Sequence, residues 1–212
     1  TQAGTERIVD YAFHLAHERQ LVREASGKTE FVPKVTCVDK ANIFRSMAFF
    51  RKVFDKVAKN YYEISRDYVY VDAMAQYLVQ RPKEYDIMVM ENMYGDILSD
   101  LAAGIVGGLG MAPSGDIGEN AAVFQPSHGT APDIVGKGIA NPTATILSAA
   151  MMMRWLGKRY KDEVATHAGE CIDRAVKDVF SNPKNGTPDI GGEMSTSQLG
   201  TKIIEVIKGV KS

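Results

Sequence analysis

A chain of 212 residues with 45% hydrophobic content can bury a real core, as one large domain or two small ones. Its 25 Lys+Arg against 26 Asp+Glu leave no basic excess for nucleic acid or an acidic membrane surface. The longest apolar runs are far too short to cross a bilayer.

Cys37 and Cys171 have no CxxC partner or other metal-like spacing. They point to a reducing compartment, read as cytoplasmic, without a disulfide framework. The chain opens TQAGTERIVDYAF, without signal-like character and already inside a helical pattern.

Residues 5–19 read as an amphipathic helix, followed by a polar loop over 21–33 that ends in Pro33. VTCVD (35–39) is a short apolar run and an expected buried strand. Residues 43–59 carry apolar positions at helical spacing. YEISRDYVYV (62–71) has strand character, and AMAQYLVQ (73–80) is helical, stopped by Pro82. DIMVM (86–90) is the next strand. A helix is expected from about Asp96 to Val106, ended by the glycine cluster GIVGGLG (104–110). The stretch 111–141 is rich in Gly, Pro, Asn and Asp, with only AAVF (121–124) strand-like. A long helix follows Pro142, closed by Gly157. Helices over 159–180 and 194–208 complete the chain. Strands alternating with helices predict an α/β protein, with a boundary between subregions near residue 107.

Asp96 and Asp100 lie one helical turn apart and project from one side. Two like charges there repel unless a cation sits between them, and hard ions such as Mg2+ or Mn2+ take carboxylate oxygens. The plainer reading makes Asp96 a helix cap after Gly95 and leaves Asp100 solvated. The apolar neighbours Ile97, Leu98, Leu101 and Ala102 suggest a largely buried helix, where an unpaired carboxylate is costly. Asp72 stands between YVYV and an apolar helix, where a cap is the plain reading. Lys40 follows a strand end, where α/β proteins place functional groups. Such a lysine is usually a surface residue, but beside a bound cation it becomes a usable base.

Residues 128–142 read HGTAPDIVGKGIANP. Small residues let a backbone approach a flat ligand or a phosphate closely. Asp133 can accept both ribose hydroxyls and repels a 2′-phosphate, the logic that separates NAD from NADP. By composition alone this is also an ordinary turn, and His128 alone reads as structural. GIVGGLG does not fit G-x-G-x-x-G and no strand–turn–helix unit frames it, which excludes a dinucleotide fingerprint there.

The stretches VDKANI, YVDAMA, GDILSDLA, GGLGMAPS and HGTAPDIVGKGIANPTATILSAAMMM occur in this order. Together they resemble the metal-dependent β-decarboxylating dehydrogenases, the isopropylmalate and isocitrate dehydrogenase family, from about residue 5 onward. The resemblance implies an α/β, isopropylmalate dehydrogenase-like two-domain fold with the N-terminal portion of the family fold absent. Residues 1–106 would form a central domain with the metal and substrate acids and the dimer interface. Residues 107–212 would be the C-terminal part of the cofactor domain. It further implies that Asp96 and Asp100 are metal-binding acids of one subunit, Asp72 the metal acid from the partner subunit, and Lys40 the catalytic lysine. Asn42 resembles the residue at the nicotinamide end. His128, Gly129, Ala131, Asp133, Ile134 and Asn141 resemble the adenosine-binding loop. Asp-Ile at 133–134 goes with NAD in this family, where NADP enzymes such as bacterial isocitrate dehydrogenase tend to carry Lys-Tyr.

The implied reaction oxidises a 2-hydroxy diacid, hydride passing to NAD, and then releases the β-carboxyl as CO2. Mg2+ or Mn2+ supplies the Lewis acid and Lys40 takes the hydroxyl proton. 3-Isopropylmalate is the favoured substrate. Isocitrate, homoisocitrate, tartrate and D-malate stay open, with NMYGD and PSGDIG leaning toward isocitrate. The expected assembly is a homodimer with shared active sites, without nucleic acid or membrane.

Three features depart from the family pattern. The first strands of the cofactor domain, the substrate-clamping arginines and the tyrosine that protonates the intermediate are missing. Gln125 stands where many members have Glu, and the 21–34 loop looks longer than usual. A catalytically silent regulatory subunit or partial chain is the alternative reading. A metal-dependent phosphate hydrolase, suggested by the acids alone, leaves the HGTAPDI loop unexplained.

Overall fold

The computed structural model of the chain describes residues 1–27 and 32–209. In order, these hold α1 Gln2–Ala25, β1 Lys34–Asp39, α2 Arg45–Ala58, β2 Ser65–Tyr70, α3 Val71–Gln80, β3 Ile87–Met90 and α4 Asn92–Ile105. Then come β4 Pro113–Ile117, β5 Ala122–Pro126, α5 Thr143–Tyr160, α6 Glu163–Val179 and α7 Thr196–Ile207. The chain divides into two compact units, Thr1–Ala102 and Ala103–Ser212, and the division falls inside α4.

The first unit is built on a three-stranded parallel sheet in the order β2-β1-β3. Parallel strands need both faces covered, so the central strand reads as a continuous buried run rather than an alternating one. Val35 and Cys37 of β1 face a core with Val9 and Phe13 of α1 and Phe50, Val53 and Phe54 of α2. Val38 faces the opposite core, with Met74 and Leu78 of α3 and Leu98 of α4. Phe13 and Phe54 are fully buried, their rings 5.3 Å apart, and Phe13 stacks on Tyr61 at 5.1 Å. Each buried phenyl contributes about 1.5–3 kcal/mol.

α1 is longer than the helix expected over 5–19 and takes in residues read as loop. Thr1 caps its start, its side chain accepting from Gly4 N. Its last turns are held by Arg19 and Arg23, which both donate to Asp86, a carboxylate only 1% exposed. Burial raises the Asp86 pKa, but the Arg23 and Arg19 guanidiniums outweigh it and hold the carboxyl below the usual range. Of the loop expected over 21–34, residues 28–31 lie outside the described residues.

Two further boundaries moved. The YVYV segment hands over from β2 to α3 at Val71, so the strand is shorter than 62–71. α4 begins at Asn92, immediately after β3, rather than near Asp96.

In the second unit β4 and β5 form an antiparallel pair, and β4 was not expected from PSGDI. Every strand of a two-stranded sheet is an edge, so Pro113 is tolerated there. Gly115 sits under the Phe124 ring, where a Cβ would come within 3.0 Å. α5 runs through Gly157 to Tyr160, and Lys161 in the left-handed region (φ 54°) closes it instead. Gly157 is therefore no terminator. It is the point where α6 approaches, since a Cβ there would meet Thr166 N at 2.6 Å. Asp162 caps α6, donors being Val164 N and Ala165 N, and Ser195 with Gln198 makes a capping box on α7. Ala175, Val176 and Val179 of α6 pack on Leu199 and Ile203 of α7, with Ile146 and Leu147 of α5 against them.

Both cysteines are free. Among the described residues, no helix is long and apolar enough to cross a membrane.

Candidate active site

Because β1, β2 and β3 are parallel, their carboxyl ends share one edge of the sheet, where open α/β folds bind ligands. Asp39 ends β1, Lys40 follows it, Tyr70 ends β2, and Asp72 lies in the first turn of α3. Lys40 Nζ donates to Asp72 Oδ1 at 2.5 Å. That hydrogen bond holds the Asp72 carboxyl below its ordinary range. Asp72 does not act as the α3 cap; the cap position is Tyr70, without a side-chain bond. Lys40 is thus an ammonium held against a carboxylate, 23% exposed on its side chain.

Beneath this pair lies one that sequence reasoning missed. Asp39 is fully buried and takes two 2.7 Å bonds from Arg51 of α2, at Nε and Nη2, and one at 2.9 Å from Ala41 N. The signal was an acid closing a buried apolar strand, since such an acid requires a cation. Burial, and then the Asp39 charge, push the neighbouring Cys37 thiol far up, so it is no nucleophile. Asn42 lies exposed in the turn after Lys40, closed by Ile43 N and Phe44 N donating to Lys40 O at 2.9 and 3.0 Å.

Asp96 and Asp100 stand one turn apart in the body of α4, so Asp96 does not cap the helix. The expectation of a largely buried helix is corrected: Tyr94 and Leu98 are buried, while Asp96, Asp100, Met93 and Ile97 are exposed. Of their apolar neighbours Leu98 turns inward with Tyr94, while Ile97 stays exposed, as 3.6 residues per turn requires. No group of three or more His, Cys, Asp or Glu close enough to hold a metal occurs among the described residues. One chain therefore does not assemble Asp72, Asp96 and Asp100 into a cage.

The loop 128–142 belongs to the second unit. His128, Gly129, Ala131 and Asp133 are exposed and Ile134 is partly buried. His128 Nδ1 lies 2.9 Å from Gly129 O. Ala131 is held at φ 43°, a left-handed conformation costing a non-glycine residue about 1–2 kcal/mol, ahead of the single turn Pro132–Ile134. Asn141 is turned to the protein. Its Oδ1 accepts from Thr143 N at 3.0 Å and its Nδ2 donates to Asp189 Oδ2 at 3.1 Å. Asp189 also accepts from Thr187 Oγ1 at 2.5 Å. Thr196 N and Oγ1 donate to Gly138 O and Ala140 O, tying the loop's end to the start of α7. Sequence reasoning missed Thr187 and Asp189. Gln125 lies exposed on β5 opposite Ser114.

The sequence profile of the isocitrate/isopropylmalate dehydrogenase family matches residues 1–203. The chain belongs to this family. The 3-isopropylmalate/3-methylmalate dehydrogenase of Methanocaldococcus jannaschii is 43% identical over 209 residues, which are 98% of this chain and 58% of that protein. A probable isocitrate dehydrogenase [NAD] subunit alpha, mitochondrial, of Drosophila melanogaster is 42% identical over 96% of this chain and 49% of its own length. The crystal structure of isocitrate dehydrogenase from Methylococcus capsulatus superposes with a TM-score of 0.86 at 39% identity, covering 98% of this chain and 57% of that one. Its fold is thus that of an isocitrate/isopropylmalate dehydrogenase, and the chain spans about half the length of the relatives it matches.

Proposed function

We propose that the whole protein is an NAD-dependent, Mg2+- or Mn2+-dependent oxidative decarboxylase of a 3-substituted malate, with 3-isopropylmalate as the leading substrate. The observation that carries this reading is the Lys40–Asp72 pair at the carboxyl edge of a parallel sheet. The relatives named above act, by their names, on 3-isopropylmalate, 3-methylmalate and isocitrate, and one names NAD. The reading extends those chemistries to this chain.

The donor set fits a hard cation. Asp96 and Asp100 offer only carboxylate oxygens, exposed and one turn apart, and neither carboxylate has a protein partner among the described residues. The third acid would be Asp72 of the partner subunit, which makes an obligate homodimer part of the proposal. The apolar side chains α4 exposes beside them, Met93 and Ile97, favour burial against another surface. When bound, the ion supplies Lewis acidity to the hydroxyl and keto oxygens of substrate.

The chain's own residues have separable tasks. Lys40 Nζ, once its ammonium has released a proton to solvent, takes the 2-hydroxyl proton, directly or through water. Asp72 balances the ammonium that results. Asn42 lies at the nicotinamide end. His128, Gly129, Ala131, Asp133, Ile134 and Asn141 form the adenosine side, with Asp133 accepting from ribose hydroxyls and Asn141 holding the loop in shape.

The test is NADH formation by the full-length gene product with 3-isopropylmalate, isocitrate, homoisocitrate, tartrate and D-malate, with and without EDTA. Turnover of one of these that EDTA abolishes is expected. Absence of turnover with every acid, in the presence of Mn2+, contradicts the reading.

A further inference from the structure

We propose that Asp39, Arg51 and Tyr70 form a platform that positions Lys40, and that they are positioning residues for proton transfer at its Nζ. The proposal rests on the reading of Lys40 as the base.

Lysine is a flexible chain ending in a point charge, and an exposed ion pair by itself restrains it little. Asp72 is 68% exposed on its side chain, so it alone does not fix Lys40. The remaining restraint comes from below. The Lys40 ammonium lies 5.8 Å from the centre of the Tyr70 ring, and the Arg51 guanidinium lies 5.5 Å from the same ring. Arg51 also lies 5.1 Å from the Tyr68 ring. Each cation is within the range at which the ring quadrupole attracts it.

Arg51 is itself immobilised. Its fork closes on Asp39, which is 0% exposed, and that carboxylate holds the guanidinium more firmly protonated than usual. Asp39 and Tyr70 are register partners in the β1–β2 ladder, so carboxylate and ring are set by the same strand pairing. Asp39 also grips the backbone beyond Lys40 through Ala41 N. Lys40 is therefore clamped at its main chain, floored by Tyr70 and capped by Asp72. A buried carboxylate is needless for packing in an apolar strand. Within β1 the carboxylate stands at the last position, next to the residue whose geometry matters.

The test uses the full-length protein. Tyr70→Leu removes the ring at a half-exposed site, and Tyr70→Phe keeps it. Arg51→Lys keeps the charge and loses the fork. Tyr70→Leu and Arg51→Lys are expected to lower kcat about 10²-fold, as misplacement of a base does, with KM for NAD within about twofold. Tyr70→Phe is expected to restore wild-type kcat within about twofold. In a Lys40→Ala background, adding Tyr70→Leu is expected to cost less than about twofold more, because residues acting as a unit are not additive. Wild-type kcat in Tyr70→Leu, or equal losses in both backgrounds, overturns the proposal.

A second readout needs no turnover. In a brief acetic anhydride pulse read by mass spectrometry, Lys40 is expected to acylate several-fold faster in Tyr70→Leu than in wild type, with Lys34 unchanged. Equal labelling of Lys40 overturns the positioning role. If wild type turns over none of the acids, the functional reading fails by itself and the labelling decides this one.

Discussion

Lys40 Nζ and Asp72 Oδ1 lie 2.5 Å apart within one protomer, joining the turn after β1 to the first turn of α3. An exposed pair of this kind adds little to stability, and in the proposed function its task is catalytic. Asp72→Asn is expected to leave the melting temperature nearly unchanged while removing most of kcat. Calorimetry beside steady-state assays checks both halves.

Asp100→Asn in the full-length protein removes one of the two exposed carboxylates of α4 that the proposed function makes metal ligands. Metal affinity and turnover are each expected to fall at least about 10²-fold, more than loss of a supporting partner costs. Mn2+ binding followed by electron paramagnetic resonance separates the affinity from the rate. Unchanged Mn2+ binding would remove Asp100 from the site.

Asp133 is exposed in the single turn that follows left-handed Ala131. If Asp133 accepts from the ribose hydroxyls as proposed, Asp133→Lys loses that charge-assisted bond and is expected to raise KM for NAD about tenfold or more. It also removes the repulsion of a 2′-phosphate, so the NAD/NADP preference is expected to narrow. Kinetics with both cofactors measures the two effects.

Asp86 anchors the end of α1 through Arg19 and Arg23. Asp86→Asn is expected to cost about 2–3 kcal/mol by urea unfolding at neutral pH. Because the folded-state pKa is held below the ordinary 3.8, the stabilisation is full above that value. It is lost as pH falls through the folded-state pKa, so the gap between variant and wild type should close in acid.

Gly169 meets α5 where a Cβ would come within 2.7 Å of Ala150 O. Gly169→Ala is expected to destabilise by about 1–3 kcal/mol despite alanine's better helix propensity. Thermal unfolding of the pair of proteins decides between the two effects.

The sequence carried the α/β class because VTCVD and DIMVM are short apolar runs framed by helical periodicity. It did not carry element ends. The polar turns of α1 looked like a loop, since the Arg19 and Arg23 contacts to Asp86 are made more than sixty residues away in sequence. PSGDI lacked an apolar signature because it is an edge strand packed on Phe124. Gly157 has the composition of a stop and the structure of a close approach. In the site, single residues at strand ends were legible, and partners were not. Nothing local announces that Arg51 reaches back to Asp39, or that Asn141 and Asp189 meet. The burial of α4 was misjudged because apolar residues inside a helix do not reveal which side they occupy.

The central claim is that each site takes Asp96 and Asp100 from one subunit and Asp72 from the other. Mixing unfolded Asp72→Asn and Asp100→Asn full-length chains and refolding them together tests it. Random pairing makes half the dimers mixed, each with one intact site, so activity is expected to return to about a quarter of wild type while either variant alone stays inactive. Mixed dimers that form yet remain as inactive as their parents would contradict the account.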